Sequence, residues 1–262
     1  MSEEHKKYLR KIKLKKIFIR STQIIIFLTF IILWELLSKL NIINTFIFSS
    51  PSNILKTLVN LYQTNNLFIH IYTTTIEVII SFSLSLILGF LIALIFYLFP
   101  IIKDILDPFI TMINSLPKVA LGPLIIIWMG ANTKAIIFMA LLINLIVTII
   151  TIHNGMISVS DYKIKLFKVF NSGKYDLITK LIIPSSKNEI ISSLKINISM
   201  SLIGVIMGEF LSCKKGIGYL ILYGTQVFNL SLVTCGILLL LLLSFIFILI
   251  INFIDKKTSS MS

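Results

Sequence analysis

Charge-free apolar runs separated by short basic or polar segments fill most of the chain, and they are long enough to be membrane-crossing helices. A spanning helix needs roughly 20 apolar residues, and six stretches qualify: 18–38, 78–102, 108–129, 135–152, 190–211 and 230–254. The clearest is 78–102, which holds 25 residues without a charge. The third is interrupted by Pro117, Lys118, Gly122 and Pro123. Such breaks are tolerable at membrane depth only where neighbouring helices or water satisfy the freed backbone groups. The pattern predicts an all-α polytopic membrane protein with six transmembrane helices. A basic cytoplasmic tail (1–17) precedes one transmembrane domain (18–254) with a long loop at 155–188, and a short cytoplasmic tail (255–262) follows.

Composition agrees. Apolar residues make up 56% of the 262 positions and charged residues only 13%, against about 25% charged in soluble domains. The mean hydropathy is +0.98. The net charge of +13 would suggest nucleic acid in a soluble protein, but here the charges lie in the connections between apolar runs, so no nucleic-acid partner is expected. Seventeen basic residues fall on one side of the predicted bundle and five on the other. The positive-inside bias therefore places both termini and the 155–188 loop in the cytoplasm. The basic amino terminus is not followed by an A-x-A-like cleavage site, so the first span is expected to remain, with its lysines drawn to anionic lipid. Cys213 and Cys235 have no ligand-like spacing and read as small apolar fillers.

The 155–188 loop is the one sizeable polar-facing segment on the cytoplasmic side. Tyr162, Leu166, Phe167 and Phe170 recur at helical spacing, with Lys163 and Lys168 off that stripe. Asn171-Ser172-Gly173 is a turn signal, since Asn and Gly accept positive φ. A second short helix is predicted to carry Tyr175, Ile178, Leu181 and Ile182 on one face and to end at Pro184. This helix-turn-helix either packs on the headgroup surface or docks a cytosolic partner.

The chain lacks the motifs of an enzyme. Gly173-Lys174 has neither the upstream glycine nor the following hydroxyl residue of a phosphate-binding loop, so the chain cannot hydrolyse ATP by that route. No metal-ligand or cofactor motif occurs, and His5, His70 and His153 read as interfacial side chains. On the fifth span Ser193, Asn197, Ser201, Gly204 and Gly208 fall on one helical face. That face is either a small-residue packing surface or a polar wall of a substrate path. Lys118, Lys195, Glu77 and Glu209 lie in or beside spans, where charge is costly and faces protein or water. Lys118 and Lys195 would suit an anionic substrate, with snorkelling the alternative for Lys195, and Glu209 is placed to pair with Lys214 or Lys215.

Several segments resemble the inner-membrane permease subunits of ABC importers, of the sulfonate/nitrate/taurine type. They are Leu33-Trp34-Glu35-Leu36-Leu37, Ser50-Pro51-Ser52, Leu106-Asp107-Pro108, Leu116-Pro117, Ala120-Leu121-Gly122-Pro123-Leu124 and Trp128-Met129-Gly130. Leu202-Ile203-Gly204, Gly208-Glu209-Phe210-Leu211 and Gly216-Ile217-Gly218-Tyr219-Leu220-Ile221 continue the likeness. The cytoplasmic E-A-A motif of that family corresponds to Lys165-Leu166-Phe167, its glycine to Asn171, its Arg-Trp to Lys174-Tyr175 and its Leu-Pro to Ile183-Pro184. Glu77 stands where the family commonly has Arg. The resemblance implies a bacterial inner-membrane permease working as a dimer by alternating access, with two cytosolic ATP-binding subunits and an extracytoplasmic substrate-binding protein. It also implies that Tyr162, Lys165, Leu166, Phe167, Phe170, Asn171, Gly173, Tyr175 and Pro184 form the coupling helix region. Ser193, Asn197, Ser201, Gly204, Gly208 and Lys118 are the candidates for the substrate path. The solute expected is small and anionic or polar: a sulfonate, taurine, nitrate or a pyrimidine precursor of thiamine. The competing class, a secondary transporter or channel without an ATPase, would be expected to show repeated halves, and none is visible.

Overall fold

The computed structural model describes residues 3–64, 66–170, 173–212 and 214–259, and no strand occurs among them. The chain runs through α1 (Glu3–Lys39), α2 (Thr45–Phe48), α3 (Pro51–Gln63) and α4 (Asn66–Leu98), then α5 (Pro100–Ser115), a 3-10 turn (Lys118–Leu121), α6 (Gly122–Met129) and α7 (Thr133–Ile157). After these come α8 (Asp161–Val169), α9 (Lys174–Asp176), a π-helical turn (Leu177–Ile182) and α10 (Ile183–Ser185). The last three are α11 (Lys187–Ser212), α12 (Ile217–Gln226) and α13 (Leu230–Ser259).

Five stretches are long and apolar enough to cross a membrane: Arg10–Lys39, Asn66–Leu98, Thr133–Ile157, Lys187–Ser212 and Leu230–Lys257. The sixth expected span is a broken one. It starts at Pro100 and bends by 83° between Ser115 and Lys118. Proline dictates the geometry at both points. Phe99 and Leu116, each preceding a proline, leave the helical region, because the pyrrolidine ring disfavours it for the residue before. Pro123 then restarts α6 in its first turn, where its missing N–H costs nothing.

α4 begins well before the expected position 78. Thr73 and Thr75 return their hydroxyls to the carbonyls of Ile69 and Ile71 at 2.8 and 2.7 Å, so polar residues ride inside an apolar helix without unpaired groups. α1 also extends beyond its span, since the basic tail is helical from Glu3. Its apolar stretch has no buried residue, and its far end is tied to α3 where Glu35 accepts the Ser52 N–H at 3.1 Å and pairs with Lys39 at 3.3 Å.

The bundle is built around α7, which α4 and α11 flank most closely. Small residues set that closeness. A Cβ added to Gly204 would stand 2.5 Å from the Ala140 Cα, and one added to Gly208 would stand 3.0 Å from the Ile136 Cα. Close backbone approach of this kind is how helices gain van der Waals contact where lipid removes any hydrophobic drive between them. The polarity pattern is inverted relative to a soluble protein. Thr74, Ser81, Ser85, Asn144, Thr148, Asn197 and Ser201 are buried, whereas Ile26, Phe30, Leu91, Leu241 and Phe253 point outward.

Replacing Gly204 by Leu should overpack the α7–α11 contact and destabilise the protein by about 1–3 kcal/mol. Gly173→Ala, with nothing within 4 Å of the new methyl, should be neutral. Thermal unfolding in detergent micelles reads both.

Candidate functional site

Three features are candidates for function: the loop between α7 and α11, the polar interior of the bundle, and a buried acidic node at the opposite end from the loop.

In the loop, α8 has Asp161 in its first turn and Lys168 in its last, each complementing the helix dipole. The expected aromatic stripe divides. Phe167 and Ile164 turn inward onto Ala93, Ile152, Met156, Leu181 and Ile182. Tyr162 (76% exposed), Leu166 (45%) and Phe170 (76%) face outward beside the exposed Lys165, and Tyr175 (77%) joins them from α9. Of the second predicted face, Leu181 and Ile182 are buried, so only Tyr175 contributes to the outer surface. Asn171 lies outside the described residues. Gly173 takes φ −68° and caps α9 in an extended conformation, so this glycine does not use the left-handed freedom expected of it. Pro184 does not end the second helix. The chain stays helical from Lys174 to Ser185, and a π turn over Leu177–Ile182 immediately precedes the proline. Asp176 sits 2.6 Å from Lys180 and holds that ammonium above its ordinary pKa.

Inside the bundle, Asn144 donates from Nδ2 to the Asn197 carbonyl at 3.0 Å, to Ser201 Oγ at 2.7 Å and to Asn197 Oδ1. Asn197 Nδ2 donates to Thr148 Oγ1 at 2.8 Å, and Thr148 lies 3.2 Å from Ser85. The network joins α4, α7 and α11. The face predicted from Ser193, Asn197, Ser201, Gly204 and Gly208 exists, with Ser193, Asn197 and Ser201 buried and both glycines pressed on α7. It occupies the inside of a helix–helix contact, because its small residues let α7 approach too closely to leave open space. Lys118 lies apart, at the bend between α5 and α6, with Nζ held by the Asn114 carbonyl and Oδ1 at 3.3 and 3.1 Å. Lys195 pairs with Asp255 of α13 at 3.0 Å, with both side chains partly exposed.

At the far end, Glu209 accepts from Thr74 Oγ1 at 2.6 Å and from the Gly218 N–H at 2.5 Å. Thr74 accepts the Ile217 N–H at 2.8 Å, and His70 Nδ1 accepts the Gly216 N–H at 3.0 Å. These bonds fasten the first turn of α12 to α4 and α11. Gly216 takes φ +107°, and a Cβ at Gly218 would lie 2.7 Å from Glu209 Oε2. Glycine at both positions therefore lets the backbone wrap the carboxylate. Glu77 lies beside Glu209. The expected pairing of Glu209 with Lys214 or Lys215 does not form; its carboxylate is taken up by the Thr74 hydroxyl and the Gly218 N–H.

Sequence reasoning did not single out Asn144, Thr148 or Thr74. The available signal was a polar pair four residues apart, Asn144 and Thr148, within an otherwise apolar run.

Residues 85–260 match the family described as "Binding-protein-dependent transport system inner membrane component". The chain is 24% identical to the formylaminopyrimidine transport permease protein ThiX of Halalkalibacterium halodurans, over 74% of this chain and 76% of that protein. It is 19% identical to the taurine transport system permease protein TauC of Escherichia coli, over 81% and 79%. Its fold is similar to a chain of the MetNI methionine ABC transporter in inward-facing conformations, with a TM-score of 0.65, 13% identity, and coverage of 72% of this chain and 94% of that one.

Breaking the interior network should show coupling between its members. Asn144→Leu and Asn197→Leu should each destabilise the bundle, and the double variant should cost less than their sum by about 0.6–1.7 kcal/mol, the range for hydrogen bonds between membrane helices. A double-mutant cycle in mixed micelles measures it.

Proposed function

The chain belongs to the family of binding-protein-dependent transport system inner membrane components and is a permease subunit of an ABC importer, and from that membership we propose its substrate, partners and orientation. The solute is small and anionic or polar, in the class of sulfonates, taurine, nitrate or pyrimidine precursors of thiamine. Two cytosolic ATP-binding subunits drive a homodimer of this chain, and an extracytoplasmic binding protein delivers the solute. Both termini and the α8–α10 loop lie in the cytoplasm of a bacterial inner membrane.

One observation carries the reading. Tyr162, Leu166, Phe170 and Tyr175 stand exposed on a short helical platform whose opposite face, through Phe167 and Ile164, is packed against α4 and α7. Apolar side chains presented on one face and anchored on the other suit a groove in a partner. A push on that face would pass into the α4–α7–α11 unit rather than into a slack loop. Thermodynamically, the ATP-binding subunits can bias the permease only by binding its two conformations with different affinity. Lys195 is neutralised by Asp255, which leaves Lys118 at the α5–α6 bend as the cation assigned to the substrate path. The Ser193–Gly208 face acts as the scaffold that holds α11 on α7.

Phe170→Asp and Tyr175→Asp, both at exposed positions, should leave the permease folded while weakening association with the ATP-binding subunits by about 2 kcal/mol or more each, roughly thirty-fold. Nucleotide-driven uptake in proteoliposomes should fall with them. Undiminished uptake, or uptake by the permease alone without nucleotide, overturns the reading.

A further inference from the structure

The acidic node holds two carboxyl groups inside one protein interior, and their surroundings differ. Glu209 is fully buried and already accepts from the Thr74 hydroxyl and the Gly218 N–H. It also sits at the N-terminus of α12, where the dipole favours negative charge. Glu77 is 1% exposed, and neither of its carboxylate oxygens has a hydrogen-bond partner. An ionised Glu77 would be a desolvated charge with only the Thr133 hydroxyl in reach, beside a second carboxylate.

No neighbour relieves this. α4 contributes His70, whose Nδ1 is committed as an acceptor to Gly216. The N-terminus of α7 brings Thr133 near Glu77. α12 contributes the phenols of Tyr219 and Tyr223, stacked on His70 and on each other. Lys134 follows Thr133 and is exposed, and Lys214 and Lys215 line a cleft of about 350 Å³ beside His70, where Lys215 acts on the imidazole rather than on the acids.

We propose that Glu77 and Glu209 form a proton-binding site: one proton resides on Glu77, whose O–H donates to the ionised Glu209, and this proton latches the first turn of α12 to α4 and α11. The arrangement gives the two facing carboxyl groups a hydrogen bond in place of a repulsion. Glu77 becomes a donor, Glu209 gains a third one, and the node carries a single negative charge facing the N–H groups of α12.

The sign of the pH dependence follows. Without the proton, two carboxylates would face each other in the protein interior. Stability is therefore present while the pair is protonated and lost as rising pH strips the proton. Infrared spectroscopy of the intact protein across a pH titration is the test. The wild type should show the carbonyl stretch of a protonated carboxylic acid at neutral pH, disappearing at higher pH together with a fall in melting temperature. Glu77→Gln, which donates an amide N–H permanently, should lack that band and melt independently of pH over the same range. Glu77→Arg, which supplies a fixed positive charge, should do likewise and covers the case in which the glutamine variant misfolds. No protonated-acid band in the wild type, or a band that survives both substitutions, overturns the proposal. So does a melting temperature that depends on added metal cation but not on pH, which would make the ligand a metal ion.

Discussion

A polar group carried into the middle of this bundle has only the chain itself to bond to, and Asn144 is where that demand is most fully met. Hydrocarbon offers no water to compete for the amide, so its donors must be met by the Asn197 carbonyl and side chain and by Ser201. Such bonds form only if α7 and α11 lie unusually close, and the close approach in turn requires Gly204 opposite Ala140 and Gly208 opposite Ile136. Glycine spacing and amide chemistry therefore specify one register between two helices. Ser85 and Thr148 extend the specification to α4. Loss of any member would leave a buried amide or hydroxyl unpaired, which is why the three helices behave as one unit rather than as three sliding rods.

That unit has a different chemistry at each end. At one, α8 rests Phe167 and Ile164 on Ala93, Ile152 and Met156, which belong to α4 and α7, and presents the aromatic side chains of Tyr162, Phe170 and Tyr175 outward. At the other, Glu209 gathers the Gly218 N–H of α12 and the Thr74 hydroxyl around one carboxylate. α7 and α11 run without interruption between them. A displacement at the aromatic platform therefore reaches the acidic node through continuous helix and not through a flexible joint.

Much of this was readable in the sequence because it rests on composition and period. The helical class, the positions of four straight spans and the shared face of Ser193, Asn197, Ser201, Gly204 and Gly208 follow from uncharged runs and from residue spacing. What that face touches was not readable. The same residues suit a packing surface or an open wall, and only the proximity of Ala140 and Ile136 decides between them. The platform shows the same limit. Spacing alone put Phe167 in one stripe with Tyr162 and Phe170, but whether an aromatic faces the floor or the outside depends on which side the bundle lies. The Lys195–Asp255 pair, separated by 60 positions, and the node at Glu209 are long-range contacts that a local pattern does not encode. Pro117 announced a break in the third span, yet its 83° angle depends on the particular backbone angles of Leu116 and Pro117, both of which leave the helical region.

The break itself argues for a second surface against it. Backbone that leaves the helical ladder at membrane depth is tolerated where it is buried in protein or lines water, and not where it faces lipid. In the single chain, Leu116 and Val119 at the bend are exposed, as are Met112 on α5 and Ile127 and Trp128 on α6, while α4 and α11 already occupy the closest positions around α7. The apolar side chains flanking the bend suit contact with another helix. Lys118, at the bend itself with its ammonium held by Asn114, suits water or an anion and does not suit hydrocarbon. A homodimer joined along α5 and α6 would satisfy both requirements at once, covering the apolar flanks and leaving the two lysines along the enclosed path. The same proline that prevents a straight third span thus also places a positive charge at the bend, beside the apolar side chains that such a dimer would cover.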